Sequence, residues 1–231
     1  MSGELGGRVV AIPGAGGGLG PHVAAALKAA GARLALADVA LDRLDGIDAD
    51  DKQAVDLLDP AATARWAADV EARLGGVDAL VHLVGGWRGG TPLAQAPLED
   101  WDVLSDLLVR TAMHTTRAFH AALTRSGRGR FVLVSAKQAR QPTSSNAAYA
   151  AAKAAAEAWT FALADGFAAD DSGATANVVA INALVTPAMR AAEPQKKFKT
   201  FTDAADIAAA IRFLLSDAAA KMNGQRLALH G

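Results

Sequence analysis

Short aliphatic runs alternate along this chain with longer, alanine-rich amphipathic stretches. The runs at 9–12, 34–37, 53–56, 79–84, 130–134, 175–180 and 226–229 read as strands. Those at 19–30, 61–74, 98–123, 147–166 and 203–215 have the length and period of helices. Strand followed by helix, repeated, with strands apolar almost throughout, is the pattern of a parallel sheet covered on both faces. An antiparallel sandwich would alternate within its strands and would not need helices this long. The expectation is a doubly wound α/β fold: one mostly parallel seven-stranded sheet with helices on both faces, in a single domain over residues 1–231.

Several boundaries carry their own mechanism. Gly31 and the Gly75-Gly76 pair follow helical stretches and suit left-handed C-caps. Thr202 is expected to N-cap the helix that runs to Leu215. No internal repeat or low-complexity linker interrupts the pattern. The stretch 190–200, with Lys196, Lys197 and Lys199, is the one polar break late in the chain and reads as a solvated charged loop.

Composition narrows the function. Of 231 residues, 52% are hydrophobic and 20% charged, ample for a packed core. Lys plus Arg number 23 against 24 Asp plus Glu, so no basic footprint points to nucleic acid or an anionic membrane. Cysteine is absent, which excludes disulfides, thiolate metal sites and cysteine nucleophiles. No segment reaches the about 18 apolar residues of a membrane span. Residues 1–7 lack the layout of a signal peptide, so the expectation is a cytoplasmic protein.

The first strand runs directly into Pro13-Gly14-Ala15-Gly16-Gly17-Gly18-Leu19-Gly20 and then a helix. A turn this tight favours glycine, and bare backbone at a helix N-terminus accommodates a pyrophosphate. A nucleoside-triphosphate loop is excluded because no Gly-Lys-Ser/Thr follows. The second strand ends at Asp38, where an acid can accept hydrogen bonds from an adenosine ribose and repel a 2′-phosphate. Val39 and Ala40 follow, with nothing basic among them. NAD(H) is therefore expected over NADP(H).

Tyr149, the single tyrosine, precedes Lys153 by four residues, so both share a helix face. The plain alternative is a packed tyrosine beside a snorkelling lysine. The chemical reading is an ammonium that lowers the phenol's pKa, letting it exchange a proton with a substrate oxygen.

With these motifs in order, the chain resembles the short-chain dehydrogenase/reductase family over essentially its whole length. Gly14, Gly18 and Gly20 match the family's cofactor turn, Leu19 lying between them, and Asp38 its NAD-selecting acid. Asp56-Leu57 matches the pair that contacts adenine, and Tyr149-x-x-x-Lys153 the catalytic signature. The segment Asn177-Val178-Val179-Ala180, then Thr186-Pro187-Ala188-Met189, looks like the family's strand six and the threonine that holds the nicotinamide carboxamide. The resemblance implies a Rossmann-type fold, with Tyr149 as general acid/base and Lys153 lowering its pKa and binding the nicotinamide ribose. It also implies cofactor contacts at Val84, Gly85, Leu184 and Thr186. The substrate would be a small-molecule alcohol, ketone or aldehyde, within a region of about 186–203. The assembly would be a homodimer or homotetramer built through the long fourth and fifth helices.

The departures from the family are specific. Pro13 stands where a threonine is usual. Asn-Asn-Ala-Gly becomes His82-Leu83-Val84-Gly85, and the Pro-Gly before the carboxamide threonine becomes Ile181-Asn182. The catalytic serine lies thirteen residues before the tyrosine, and that position is Ala136. Adjacent Ser135 is expected to point to the other face of its strand. The family's helix-four asparagine aligns with Leu108. A second reading follows from Ala136 and Leu108: an NAD(H)-binding, catalytically weakened member acting as a sensor, scaffold or partner subunit. Elsewhere, Trp87 is placed beside the substrate or, equally, as loop filler. His22, His82, His114, His120 and His230 show no metal spacing, so no metal is expected. No Gly-x-Ser-x-Gly elbow is present.

Overall fold

The computed structural model describes residues 3–230; Met1 and Ser2, the start of the leading segment 1–7, and Gly231 lie outside the described residues. In chain order the elements are β1 (Val9–Pro13), α1 (Gly20–Ala29), β2 (Arg33–Asp38), β3 (Asp51–Ala54), α2 (Pro60–Leu74), β4 (Ala79–His82), α3 (Glu99–Ser105), α4 (Thr111–Arg125), β5 (Arg130–Ala136) and α5 (Ala147–Ala169). They continue with β6 (Thr175–Ile181), β7 (Leu184–Val185), α6 (Pro187–Ala192), β8 (Thr202–Asp203), α7 (Ala204–Leu215) and β9 (Arg226–Ala228).

Seven strands form one sheet in the order β3-β2-β1-β4-β5-β6-β9, and every neighbouring pair is parallel. The inner strands β1, β4, β5 and β6 are buried almost throughout because both faces are covered, whereas the edge strands β3 and β9 are more polar and only half-buried. Val10, Ile12, Leu34, Leu36, Val81, Val132 and Val179 pack with Val23 and Leu27 of α1 and Ile207 and Ile211 of α7. Their alternates Val9, Ala11, Leu80, Phe131, Leu133 and Val178 pack with Trp66 and Val70 of α2, Phe119 of α4 and Phe167 of α5. Each Val, Leu, Ile or Phe side chain among these contributes about 1.5–3 kcal/mol of burial. The fold is the doubly wound Rossmann-type α/β sheet expected from the hydrophobic pattern.

Strand order reverses between β1 and β4, and a sheet that reverses there opens a crevice at the carboxyl ends of those strands. The structure departs locally from the sequence expectations. β4 ends at His82, two residues earlier than expected, and the Leu83 N–H just beyond it still donates to Pro13 O of β1 at 3.1 Å. β3 lies two residues earlier than expected and β5 runs two residues longer. The stretch 98–123 divides into α3, a π turn over Asp106–Arg110 and α4. The Thr111 hydroxyl donates to Leu107 O at 2.7 Å inside that π turn. Thr202 does not cap α7. It lies in β8 and donates its hydroxyl to Leu229 O at 2.6 Å, while Asp203 occupies the N-cap position. β7 and β8 form a short parallel pair that closes the base of the loop between them.

Candidate active site

The glycine turn lies at the sheet's reversal point. Gly14 has φ +77°, and its N–H donates to Ala37 O at 2.8 Å, tying the turn to β2. A Cβ there would come 2.6 Å from Val84 N, so the turn can rest on the segment after β4 only because position 14 is glycine. At Gly20 a Cβ would collide with the carbonyl of Ala15, which fixes the entry of α1.

Gly14, Gly18, Leu19, Gly20, Val84 and Gly85 line one cavity of about 640 Å³. The same cavity is lined by Trp87, Ser135, Gln138, Tyr149, Lys153, Asn182, Leu184 and Phe201. A second pocket of about 430 Å³ shares Gly14, Gly17, Val84 and Gly85 and adds Asp38, Arg43, Asp56 and Leu57. A Cβ at Gly18 would meet only Leu184 Cδ2, at 3.6 Å, so the space above the turn is one that a side chain would fill. Bare backbone over a helix start, with an acid at one end and a tyrosine–lysine pair at the other, fits a nicotinamide dinucleotide.

Asp38 is buried. One carboxylate oxygen accepts the N–H of Gly16 and the other that of Val39, both at 2.9 Å. Arg43 Nε lies 3.3 Å from Asp38 Oδ1. Sequence reasoning missed this arginine because only the residues directly after Asp38 were weighed. The turn Leu41–Leu44 folds it back onto the acid. Asp56 accepts the N–H of Leu58 at 2.9 Å.

Tyr149 packs against Leu104, Leu108 and Ala152, and burial pushes its phenol up to about 12. Lys153 donates to Val134 O at 3.0 Å. Burial brings its ammonium down to about 8, with Glu157 pulling the other way. The expectation that Lys153 depresses the phenol therefore needs correction: in this structure the apolar wall around Tyr149 dominates, and the ammonium is directed at a strand carbonyl. His82 stands between the hydroxyls of Thr111 (3.3 Å) and Thr115 (3.2 Å). Full burial and nearby Lys153 push it down to about 3, so it is neutral.

Ser135 lines the cavity, but its hydroxyl is donated to Glu157 Oε1 at 2.7 Å. Ala136 is buried, and its carbonyl accepts from Arg226 Nη2 at 3.0 Å. Thr186 is absent from the cavity lining; its hydroxyl caps α6 by accepting the Met189 N–H at 3.2 Å. Of the region 186–203, Phe201 lines the cavity. Phe198 is buried beside it, their ring centroids 5.2 Å apart. Lys196 is tied down, its ammonium 5.0 Å from the Phe198 ring centroid and 3.0 Å from Glu193. Trp87 is largely exposed at the cavity's edge. Among the described residues, no three or more His, Asp or Glu side chains gather as a metal site, and no helix is long and apolar enough to cross a membrane.

A protein-family model described as "Enoyl-(Acyl carrier protein) reductase" matches residues 14–231. The chain is 30% identical to the 2-dehydro-3-deoxy-L-rhamnonate dehydrogenase (NAD(+)) of Sphingomonas sp. (strain SKA58), over 71% of this chain and 67% of that protein. It is 26% identical to the 7alpha-hydroxysteroid dehydrogenase of Escherichia coli (strain K12), over 99% of this chain and 94% of that one. Among solved structures, a short-chain type dehydrogenase/reductase from Mycobacterium ulcerans superposes with a TM-score of 0.87 at 27% identity, covering 96% of this chain and 88% of the other.

Proposed function

We propose that this chain, which belongs to the short-chain dehydrogenase/reductase family of oxidoreductases, interconverts an alcohol and a ketone or aldehyde with NAD(H). The observation that carries the reading is that Tyr149 and Lys153 line the same cavity as the glycine turn Gly14, Gly18 and Gly20. The dinucleotide, when bound, would supply the hydride chemistry. Asp38 would hold the adenosine ribose, the glycine turn the pyrophosphate, and Lys153 the nicotinamide ribose.

Tyr149 moves the proton. Its raised pKa keeps the phenol protonated at neutral pH, which suits donation to a carbonyl oxygen during reduction. In the oxidative direction the phenol must first lose that proton, against the burial that holds it in place. Ala136 offers the substrate oxygen no second donor, and the chemistry proceeds without one. Relatives named as dehydrogenases of a deoxy sugar acid and of a hydroxysteroid support an alcohol–ketone pair as the substrate class. Family membership also supports a homodimer or homotetramer through α4 and α5, whose shared face carries an apolar groove lined by His120, Trp159 and Leu163. Light scattering that gave only monomer would reject that assembly.

Calorimetric titration with NADH and, separately, NADPH tests the cofactor assignment. Tight NADH and weaker NADPH binding is the expected result; binding of neither would refute it. The second reading, a binding-competent but weakened member, draws on Ala136 and on the commitment of Ser135 to Glu157. It predicts NADH binding with no turnover of any carbonyl.

A further inference from the structure

One turn beyond Lys153 on α5 lies a buried ion pair that the chemistry above does not use. Glu157 is only 4% exposed. Its Oε1 accepts the Ser135 hydroxyl at 2.7 Å, and both its oxygens lie 3.0 Å from Arg226 Nε. Arg226 comes from β9, at the far edge of the sheet, and its Nη2 donates to Ala136 O at 3.0 Å. Arg140, in the segment after β5, approaches Glu157 Oε2 at 3.6 Å from the solvent side. Tyr149, Lys153 and Glu157 follow one another at intervals of four, and so share one face of α5.

Lys153 is itself buried, and its Nζ donates to Val134 O at 3.0 Å. The groups around it come from three elements: Tyr149 and Glu157 from its own helix, neutral His82 from β4, and the Val134 carbonyl from β5. Arg226 and Arg140 act on it through Glu157. We infer that Glu157 and Arg226 are positioning residues for Lys153: Glu157 supports the ammonium from behind, while Arg226 attenuates that support and fastens β5 at Ala136.

The physics is a balance of opposed charges in a poorly solvated place. Burial alone disfavours the ammonium, and Glu157 is the group that opposes this effect. Removing the carboxylate deletes an attraction and leaves Arg226 as a bare like charge, and both changes favour loss of the Lys153 proton. Removing the guanidinium leaves the carboxylate uncompensated and favours its retention. The two substitutions therefore act with opposite sign, which a general loosening of the fold would not produce. The inference rests on Lys153 being the proposed ribose- and proton-handling residue, but its test reads Lys153 directly.

The experiment is an NMR titration of the full chain labelled with ¹³C at lysine Cε, with Lys153 assigned by its loss in Lys153→Met. The wild type is expected to titrate near pH 8. Glu157→Gln should shift the midpoint down, and Arg226→Gln up, each by about one unit, a tenfold change in proton affinity. The double variant should return near the wild type, and Arg226→Lys, which keeps the charge, should stay there. Unshifted midpoints, or shifts of the same sign, would overturn the inference. Should Glu157→Gln not fold, the upward shift in Arg226→Gln against none in Arg226→Lys decides the matter. If these shifts appear in a chain that turns over no carbonyl with NADH, the charge coupling stands and the proposed function fails.

Discussion

Ser135 donates its hydroxyl to Glu157 at 2.7 Å, while Ala136, the next residue along β5, carries no hydroxyl at all. The one serine near the family's donor position is thus spent on a structural carboxylate. The strand is well held at this point, because Arg226 bonds the Ala136 carbonyl at 3.0 Å. A hydroxyl introduced at 136 would therefore enter an ordered backbone. Ala136→Ser is expected to raise kcat for carbonyl reduction by about 10²–10³, the usual effect of one preorganised donor to a developing oxyanion. Steady-state NADH oxidation checks it, and an unchanged rate on every accepted carbonyl would count against the missing-donor account.

The pH dependence follows from two buried groups. Tyr149 stays protonated until far above neutrality, being pushed up to about 12, whereas Lys153 loses its proton near 8. On the proposed mechanism reduction uses the phenol and the ammonium together, so its rate is expected to hold through neutral pH and fall as pH rises through about 8. Oxidation needs the phenolate, so its optimum should lie at higher pH than that of reduction. Rate profiles measured in both directions test this, and coincident optima would contradict it.

Arg43 touches Asp38, the acid proposed to hold the adenosine ribose. Its Nε lies 3.3 Å from Asp38, and both residues line the second pocket beside the glycine turn. The guanidinium offsets part of the carboxylate's repulsion toward a 2′-phosphate and offers that phosphate a partner. Arg43→Ala is expected to weaken NADPH about tenfold and NADH far less, the scale of one charged hydrogen bond. Equal losses for the two cofactors, by calorimetry, would refute a selective role.

His82 makes stability sensitive to acid. Its folded-state pKa is lowered from 6.5 to about 3. Between those values the unfolded chain binds a proton that the folded chain does not. The contribution is complete above about 6.5 and is lost as pH falls toward 3. Wild type should lose about 2 kcal/mol through this group between pH 7 and 5. His82→Asn should flatten that interval, as measured by urea unfolding at the two pH values.

Much of the fold was legible because doubly covered parallel strands are apolar on both faces. Every strand of the main sheet is found within two residues of where the apolar runs place it. The glycine turn was legible for a similarly local reason: Gly14 and Gly20 are demanded by backbone approach at fixed spacing. What the chain hid depends on tertiary return. Arg43 reaches Asp38 through a turn, and the π turn that holds Leu108 against Ala152 leaves no periodic signal. Arg226 meets Glu157 across 69 positions. The phenol's raised pKa belongs to the same class, since i,i+4 spacing shows the lysine and not the apolar wall around the tyrosine.

The most direct test of the central claim is NADH oxidation over a panel of ketones and aldehydes, with Tyr149→Phe as the control. The account predicts that at least one carbonyl drives steady oxidation by the wild type, and that the rate disappears in Tyr149→Phe while NADH binding persists. Undiminished oxidation in Tyr149→Phe, or no turnover by a wild type that binds NADH, would contradict it.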